Sequence, residues 1–169
     1  MATKRPPRIN GFGYTGTSAY FLTICAKDRR HTFTEPACAE AVCEQFLRTA
    51  DAYRFAVDAY CAMPDHFHAL VEGLAGDSDL RRFVAMFKQR TSFEHRRSTG
   101  LSLWQEGYYE HVLRTEEPCL ATAAYVVNNP IRAGLCDTLD EYRFIGSGRY
   151  TLAQLSEAIQ FRPHGWSRP

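Results

Sequence analysis

A chain of 169 residues with 45% hydrophobic and 13% aromatic side chains carries enough apolar material for one compact core and is too rich for a disordered protein. Its formal net charge of +1 excludes a globally basic polyanion-binding domain, so any nucleic-acid partner must be met by a local patch. Six cysteines (Cys25, Cys38, Cys43, Cys61, Cys119, Cys136) form no Cys-x-x-Cys pair, which leaves zinc and redox motifs unsupported; they read as buried free thiols of a reducing compartment. Lys4, Arg5 and Arg8, set around Pro6 and Pro7, lead into no signal-peptide-like apolar run, and no later run could span a bilayer. The expectation is a cytoplasmic protein of one domain, 1–169, with no membrane partner and with 1–16 and 162–169 extended or loosely ordered.

From Ala19 to Cys25 the residues alternate, with Tyr20, Leu22 and Ile24 on one face and Phe21 and Thr23 on the other, as in a strand. Glu35-Pro36 opens a helix in which Val42, Cys43, Phe46, Leu47 and Ala50 share a face. Phe55–Ala62 and His66–Glu72 are strand-like runs joined through Met63-Pro64-Asp65, a connection short enough for a hairpin. Leu80, Phe83, Val84 and Phe87 mark a second amphipathic helix running toward His95, and Glu110–Arg114 supplies a short fourth strand. A last helix starts at Pro118 and is expected to finish near Asn129, because Pro130 disfavours a helical residue before it. The order is that of an α+β fold, a ferredoxin-like βαββαβ antiparallel sheet with its helices packed on one face.

His66 and His68 stand two apart in a strand, so both imidazoles project from one face and can meet one ion, while Phe67, Ala69 and Val71 face the core. Two histidines so spaced can equally be incidental surface residues. Tyr125 and Asn129 are four apart on a helix and reach the same region. An Asn oxygen can ligate magnesium or manganese and a phenol can attack phosphorus, although alone these residues read as a core aromatic and a helix cap. Asp65 reads as a turn residue, with orientation of His66 as the alternative. Acidic side chains do not cohere into a two-metal site beside the histidines.

Several stretches occur together in one order: Tyr20-Phe21-Leu22-Thr23 with Arg29-Arg30 and Phe33, Ala62-Met63-Pro64-Asp65-His66-Phe67-His68-Ala69-Leu70-Val71, and Phe87-Lys88. Leu103-Trp104-Gln105-Glu106-Gly107-Tyr108-Tyr109-Glu110-His111 and Tyr125-Val126-Val127-Asn128-Asn129-Pro130-Ile131-Arg132-Ala133-Gly134-Leu135 complete the set. On these motifs the sequence resembles transposases of the HUH single-strand type, in their REP-associated tyrosine branch. It departs where the family ends in Tyr-x-Trp-Ser-Ser, since Tyr142-Arg143-Phe144-Ile145-Gly146-Ser147 lacks the Trp and breaks the serine pair. That departure puts the preferred DNA in doubt, not the catalytic constellation.

The resemblance implies a metal-dependent single-stranded DNA endonuclease and strand transferase acting beside hairpins. Tyr125 would be the nucleophile and His66, His68 and Asn129 the ligands of Mg2+ or Mn2+, with a 5′-phosphotyrosine intermediate. The alternatives are a hairpin-binding protein of the same fold that does not cut, and a structural protein with incidental histidines. Arg81, Arg82, Lys88, Arg90, Arg96 and Arg97 against Glu94 make a local excess of five positive charges, suited either to DNA phosphates or to a solvated helix face. Lys88, Arg81, Arg82 and Arg90 are the candidate phosphate contacts. Trp104 is the candidate stacking residue, with Tyr108 and Tyr109, although core packing competes for at least two of the three. The sequence leaves the choice between homodimer and monomer open.

Overall fold

The structure is a computed structural model and describes residues 13–114 and 118–159. Five strands, β1 (Ala19–Cys25), β2 (Phe55–Met63), β3 (His66–Gly73), β4 (Tyr109–Val112) and β5 (Ile145–Gly146), form one sheet in the order β4-β1-β3-β2-β5. All pairings are antiparallel. The first four strands with α1 (Pro36–Ala52) and α2 (Leu80–Thr99) make the expected βαββαβ arrangement. α3 (Cys119–Val127), α4 (Asn129–Arg132) and α5 (Leu152–Ala158) follow.

α1 opens with Pro at its first turn and buries Ala39, Val42, Cys43, Phe46, Thr49 and Ala50, the three-and-four spacing of one helical stripe. α2 is started by Asp79, whose carboxylate accepts the backbone N–H groups of Arg81 and Arg82. Both helices pack on the sheet face formed by Tyr20, Leu22, Ile24, Phe67, Ala69 and Val71. The expectation of helices on one face holds for this pair. α3 and α5 cover the other face, where Phe21, Ala59, Cys61, Met63 and Leu70 meet Ala123, Ala124, Val126, Val127 and Leu155. The reason lies in the strands themselves: β1 is buried at five successive positions, so its two faces both need cover.

Several boundaries differ from the sequence reading. α3 ends at Val127, close to the expected stop near Asn129, but a short extra turn, α4, follows at once from Asn129, with Pro130 in its first turn where the fixed φ is suited. β5 is a two-residue edge strand with too little pattern to be read in advance. Residues 13–16 are not loose: Tyr14 is buried and stacks on Tyr20 with ring centroids 6.3 Å apart, and its carbonyl accepts from Leu80 N. Gly73 lets this segment pass, since a Cβ there would lie 1.9 Å from Gly16 O. Residues 1–12 and 162–169 fall outside the described residues. Only Cys43 and Cys61 of the six free cysteines are buried; the other four are half-buried. No helix among the described residues is long and apolar enough to cross a membrane.

Candidate active site

Strand alternation places His66 and His68 on the α3 side of the sheet, with β1 residues Cys25 and Thr23 as their respective cross-strand neighbours. Their Nε2 atoms stand 2.9 Å apart. Each remaining ring nitrogen has its own partner. His66 Nδ1 donates to Asp65 Oδ1 at 2.6 Å, and Asp65 Oδ2 in turn receives Arg29 Nε at 2.9 Å. His68 Nδ1 lies 2.9 Å from the buried Thr23 Oγ1.

This arrangement fixes what can lie between the rings. A carboxylate can only accept, so the His66 proton sits on Nδ1 and its Nε2 carries a lone pair aimed at His68. The proton between the two rings therefore comes from His68 Nε2, while the His68 ring is also hydrogen-bonded to the Leu22 backbone and lies beside Thr23 Oγ1. His66 and His68 could hold a cation through their Nε2 atoms if His68 carried its proton on Nδ1. The two Nε2 atoms converge on one point at 2.9 Å from each other, and neutral imidazole nitrogens are common ligands of divalent cations. Burial, the neighbouring His66 and the charges of Arg29 and Arg132 depress His68 to about 3, while burial outweighs Asp65 in lowering His66. Both rings are therefore neutral, the form that ligates, at physiological pH.

Asp65 thus serves the turn and the histidine together: its carbonyl accepts Ala26 N at 2.9 Å while its carboxylate orients His66. The turn reading alone was incomplete. Among the described residues no group of three His, Cys, Asp or Glu side chains is placed to hold a metal ion.

The Asn129 side chain is held by a local device. Pro130 has no N–H, so the Val126 carbonyl loses its usual helical donor. Asn129 Nδ2 replaces it, donating to Val126 O at 3.1 Å and to Tyr125 O at 2.9 Å. The nitrogen is engaged by carbonyls, which leaves Oδ1 as the atom available to a cation. Tyr125 is half-buried on α3, with its ring edge-on to Phe21 at 6.2 Å; Phe21 also stacks on His68 at 5.4 Å. One aromatic thereby sets both the tyrosine and the inner histidine. The sequence reading did not single out Phe21, Thr23, Arg29 or Arg132 individually, although all four lie in the quoted stretches. Arg132 carries its guanidinium carbon 4.6 Å above the Tyr125 ring.

The candidate DNA contacts lie elsewhere. Arg81, Arg82 and Arg90 are exposed on α2, across the sheet from the histidines, and Arg81 covers the Tyr14 ring at 4.8 Å. Lys88 Nζ donates to the carbonyls of Gln105 and Gly107 at 2.8 and 2.7 Å. It holds the loop that Gln105 N attaches to Cys25 O, at the His66 end of β1. Trp104 belongs to the core, 7% exposed, packed on Phe33 and Phe87 with its indole N–H donating to Thr91 Oγ1 at 2.8 Å. It offers no free face for a base. A cavity of about 490 Å³ opens between α1 and α2 and is lined by none of the candidate site residues.

A family model described as transposase IS200 like matches residues 15–129, which takes in β1 through Asn129 and with them every candidate site residue. The chain is 24% identical over 168 residues to an uncharacterized protein of Haemophilus influenzae, covering 76% of this chain and 88% of that one. It is 21% identical over 133 residues to the REP-associated tyrosine transposase of Escherichia coli K12, covering 78% and 77% of the two chains. Among solved structures it superposes on a REP-associated tyrosine transposase bound to a REP hairpin with a TM-score of 0.67. That match has 18% identity and covers 97% of this chain and 93% of the other. The chain belongs to the IS200-like transposase family.

Proposed function

We propose that this transposase is a metal-dependent single-stranded DNA endonuclease and strand transferase that acts beside DNA hairpins through a 5′-phosphotyrosine intermediate. The observation that carries the reading is the imidazole pair, its nitrogens 2.9 Å apart and each ring anchored from behind, on the same sheet face as the helix bearing Tyr125. His66, His68 and Asn129 would hold Mg2+ or Mn2+, a hard ion suited to a mixed nitrogen and oxygen donor set. When bound, the ion supplies charge that offsets a non-bridging phosphate oxygen.

The chain's own residues do the rest. Asp65 and Thr23 fix the ring orientations, and Phe21 holds Tyr125 beside His68. The Tyr125 phenol attacks phosphorus and loses its proton; the new Oη–P bond replaces the bond from phosphorus to the 3′-oxygen, which leaves as a hydroxyl after taking up a proton. Attack by a 3′-hydroxyl on the phosphotyrosine reverses the step and rejoins strands without external energy. The solved relative bound to a REP hairpin supports a hairpin substrate. Arg81, Arg82 and Arg90 are proposed to hold phosphates of flanking DNA on the far side of the sheet, and Lys88 to act by shaping the loop at the rim of the site.

The test is cleavage of labelled hairpin-bearing single strands from around the gene, with Mn2+ or Mg2+. Cleavage that EDTA, His66→Ala and His68→Ala each abolish is expected. Tight binding with no cleavage on any such strand would replace this reading with that of a hairpin-binding protein.

A further inference from the structure

We propose that Arg132 is a positioning residue for both reactants of the cleavage step, its guanidinium holding the Tyr125 ring by stacking while its edge N–H groups receive the phosphate under attack. This rests on the reading of Tyr125 as nucleophile.

Arg132 ends α4, seven residues beyond Tyr125, and long side chains on helices lean back toward the N-terminus, which brings its guanidinium carbon 4.6 Å above the ring centroid. The backbone carrying it is fixed. Arg132 N bonds Asn128 O, Ala133 N bonds Asn129 O, and Leu135 N returns to Pro130 O across Gly134, which takes a left-handed φ of 70°. The same turn therefore sets the candidate ligand Asn129 and the arginine together.

A guanidinium lying on a ring keeps its five N–H donors in its own plane, so stacking leaves the edge open to an anion. Arg132 is exposed, and no carboxylate among the described residues pairs with it. Arg29, the other cation whose charge reaches His68, is already engaged by Asp65. Among the described residues, Arg132 is thus a cation over Tyr125, its charge felt at His68, with donors to give. A phosphate placed between the phenol and the imidazoles would meet its fork, and lysine, which has no planar fork, would not substitute.

The experiment uses the full chain and a hairpin strand on which the wild type forms its covalent adduct, so that the scissile phosphate is mapped. Single-turnover rates at saturating DNA are compared for wild type, Arg132→Gln and Arg132→Lys, with thermal melts to confirm folding. Affinity in EDTA is then measured for strands carrying either the natural scissile phosphate or an uncharged methylphosphonate there. The glutamine variant is expected to react ~100-fold slower, as for loss of a donor to a developing charge, and the lysine variant to recover only a small part of the rate. Neutralising the phosphate should weaken wild-type binding about tenfold, the size of one charge-assisted hydrogen bond, and leave Arg132→Gln binding unchanged. If the glutamine variant does not fold, Arg132→Met, which also removes the charge, takes its place in both comparisons. Wild-type rates in both variants, or undiminished discrimination against the methylphosphonate, overturn the role of Arg132 while leaving Tyr125 standing. Absence of any wild-type adduct overturns the nucleophile reading and this proposal with it.

Discussion

Asp65→Asn removes the charge behind His66 in the proposed metal site and, with it, the ion pair to Arg29 Nε at 2.9 Å, half-exposed on the arginine side. The carboxylate lies 2.6 Å from His66 Nδ1, with side-chain exposures of 19% and 16%, so water screens the interaction poorly. Loss of a partner that orients a ligating histidine lowers metal affinity ~10–100-fold, about 1.4–2.7 kcal/mol. Asn retains an oxygen that can accept from Nδ1, which places Asp65→Asn near the tenfold end and Asp65→Ala near the hundredfold end. Folding should survive, because the hairpin turn is also tied through the Asp65 carbonyl to Ala26 N at 2.9 Å, independent of the side chain. The assay is calorimetric titration of Mn2+ into metal-free protein at pH 7.5. Burial holds both histidines below their ordinary range, so protons do not compete there. Folded Asp65→Ala protein with wild-type Mn2+ affinity would refute the claim that this carboxylate orients a metal ligand.

Asn129→Ala strands the Val126 carbonyl that Pro130 cannot serve, and should lower the unfolding free energy of the metal-free protein by about 1–2 kcal/mol in urea titrations; an unchanged midpoint would contradict the account of the helix break. Trp104→Ala opens the core between Phe33 and Phe87 and should lose ~3–5 kcal/mol, a loss that a solvent-facing stacking residue would not show. Arg149→Met leaves Asp58, fully buried 3.1 Å from the guanidinium, without its counter-charge, and should destabilise the fold by about 2–3 kcal/mol at pH 8. Burial raises Asp58 to about 6, above its unfolded value, so the ionised form costs stability at high pH and the cost is relieved as pH falls from about 6 toward ~3.8. The destabilisation of Arg149→Met should therefore shrink at pH 5; equal destabilisation at both pH values would show that Asp58 does not protonate in the fold.

What could be read from the sequence was what depends on local periodicity. Alternation along His66–Glu72 put both histidines on one face, and four-residue spacing put Tyr125 near Asn129; β1, α1, the β2–β3 hairpin and α2 followed from the same two periods. Contacts made across the fold carried no such signal. Thr23 reaches His68 only because β1 pairs with β3 in one register, and Arg29 reaches Asp65 from a turn thirty-six residues earlier. The position of α3 on the opposite face from α2 separates the arginine-rich helix from the histidines, a distance that no charge count along the chain reveals. Lys88 reads as a free cation in sequence, yet two loop carbonyls hold it, and the Trp104 side chain that looked available for stacking is closed in by aromatics.

The most direct measurement is the polarity and address of the covalent adduct. A cleavable hairpin strand labelled on either side of the scissile phosphate is incubated with protein and Mn2+, resolved on a denaturing gel, and the linked peptide is sequenced by mass spectrometry. The account predicts that the fragment on the 3′ side of the break stays attached through its 5′-phosphate to Tyr125, that the other fragment ends in a 3′-hydroxyl, and that Tyr125→Phe and EDTA each abolish the adduct. Attachment to another residue, the opposite polarity, or cleavage undiminished in Tyr125→Phe would contradict it.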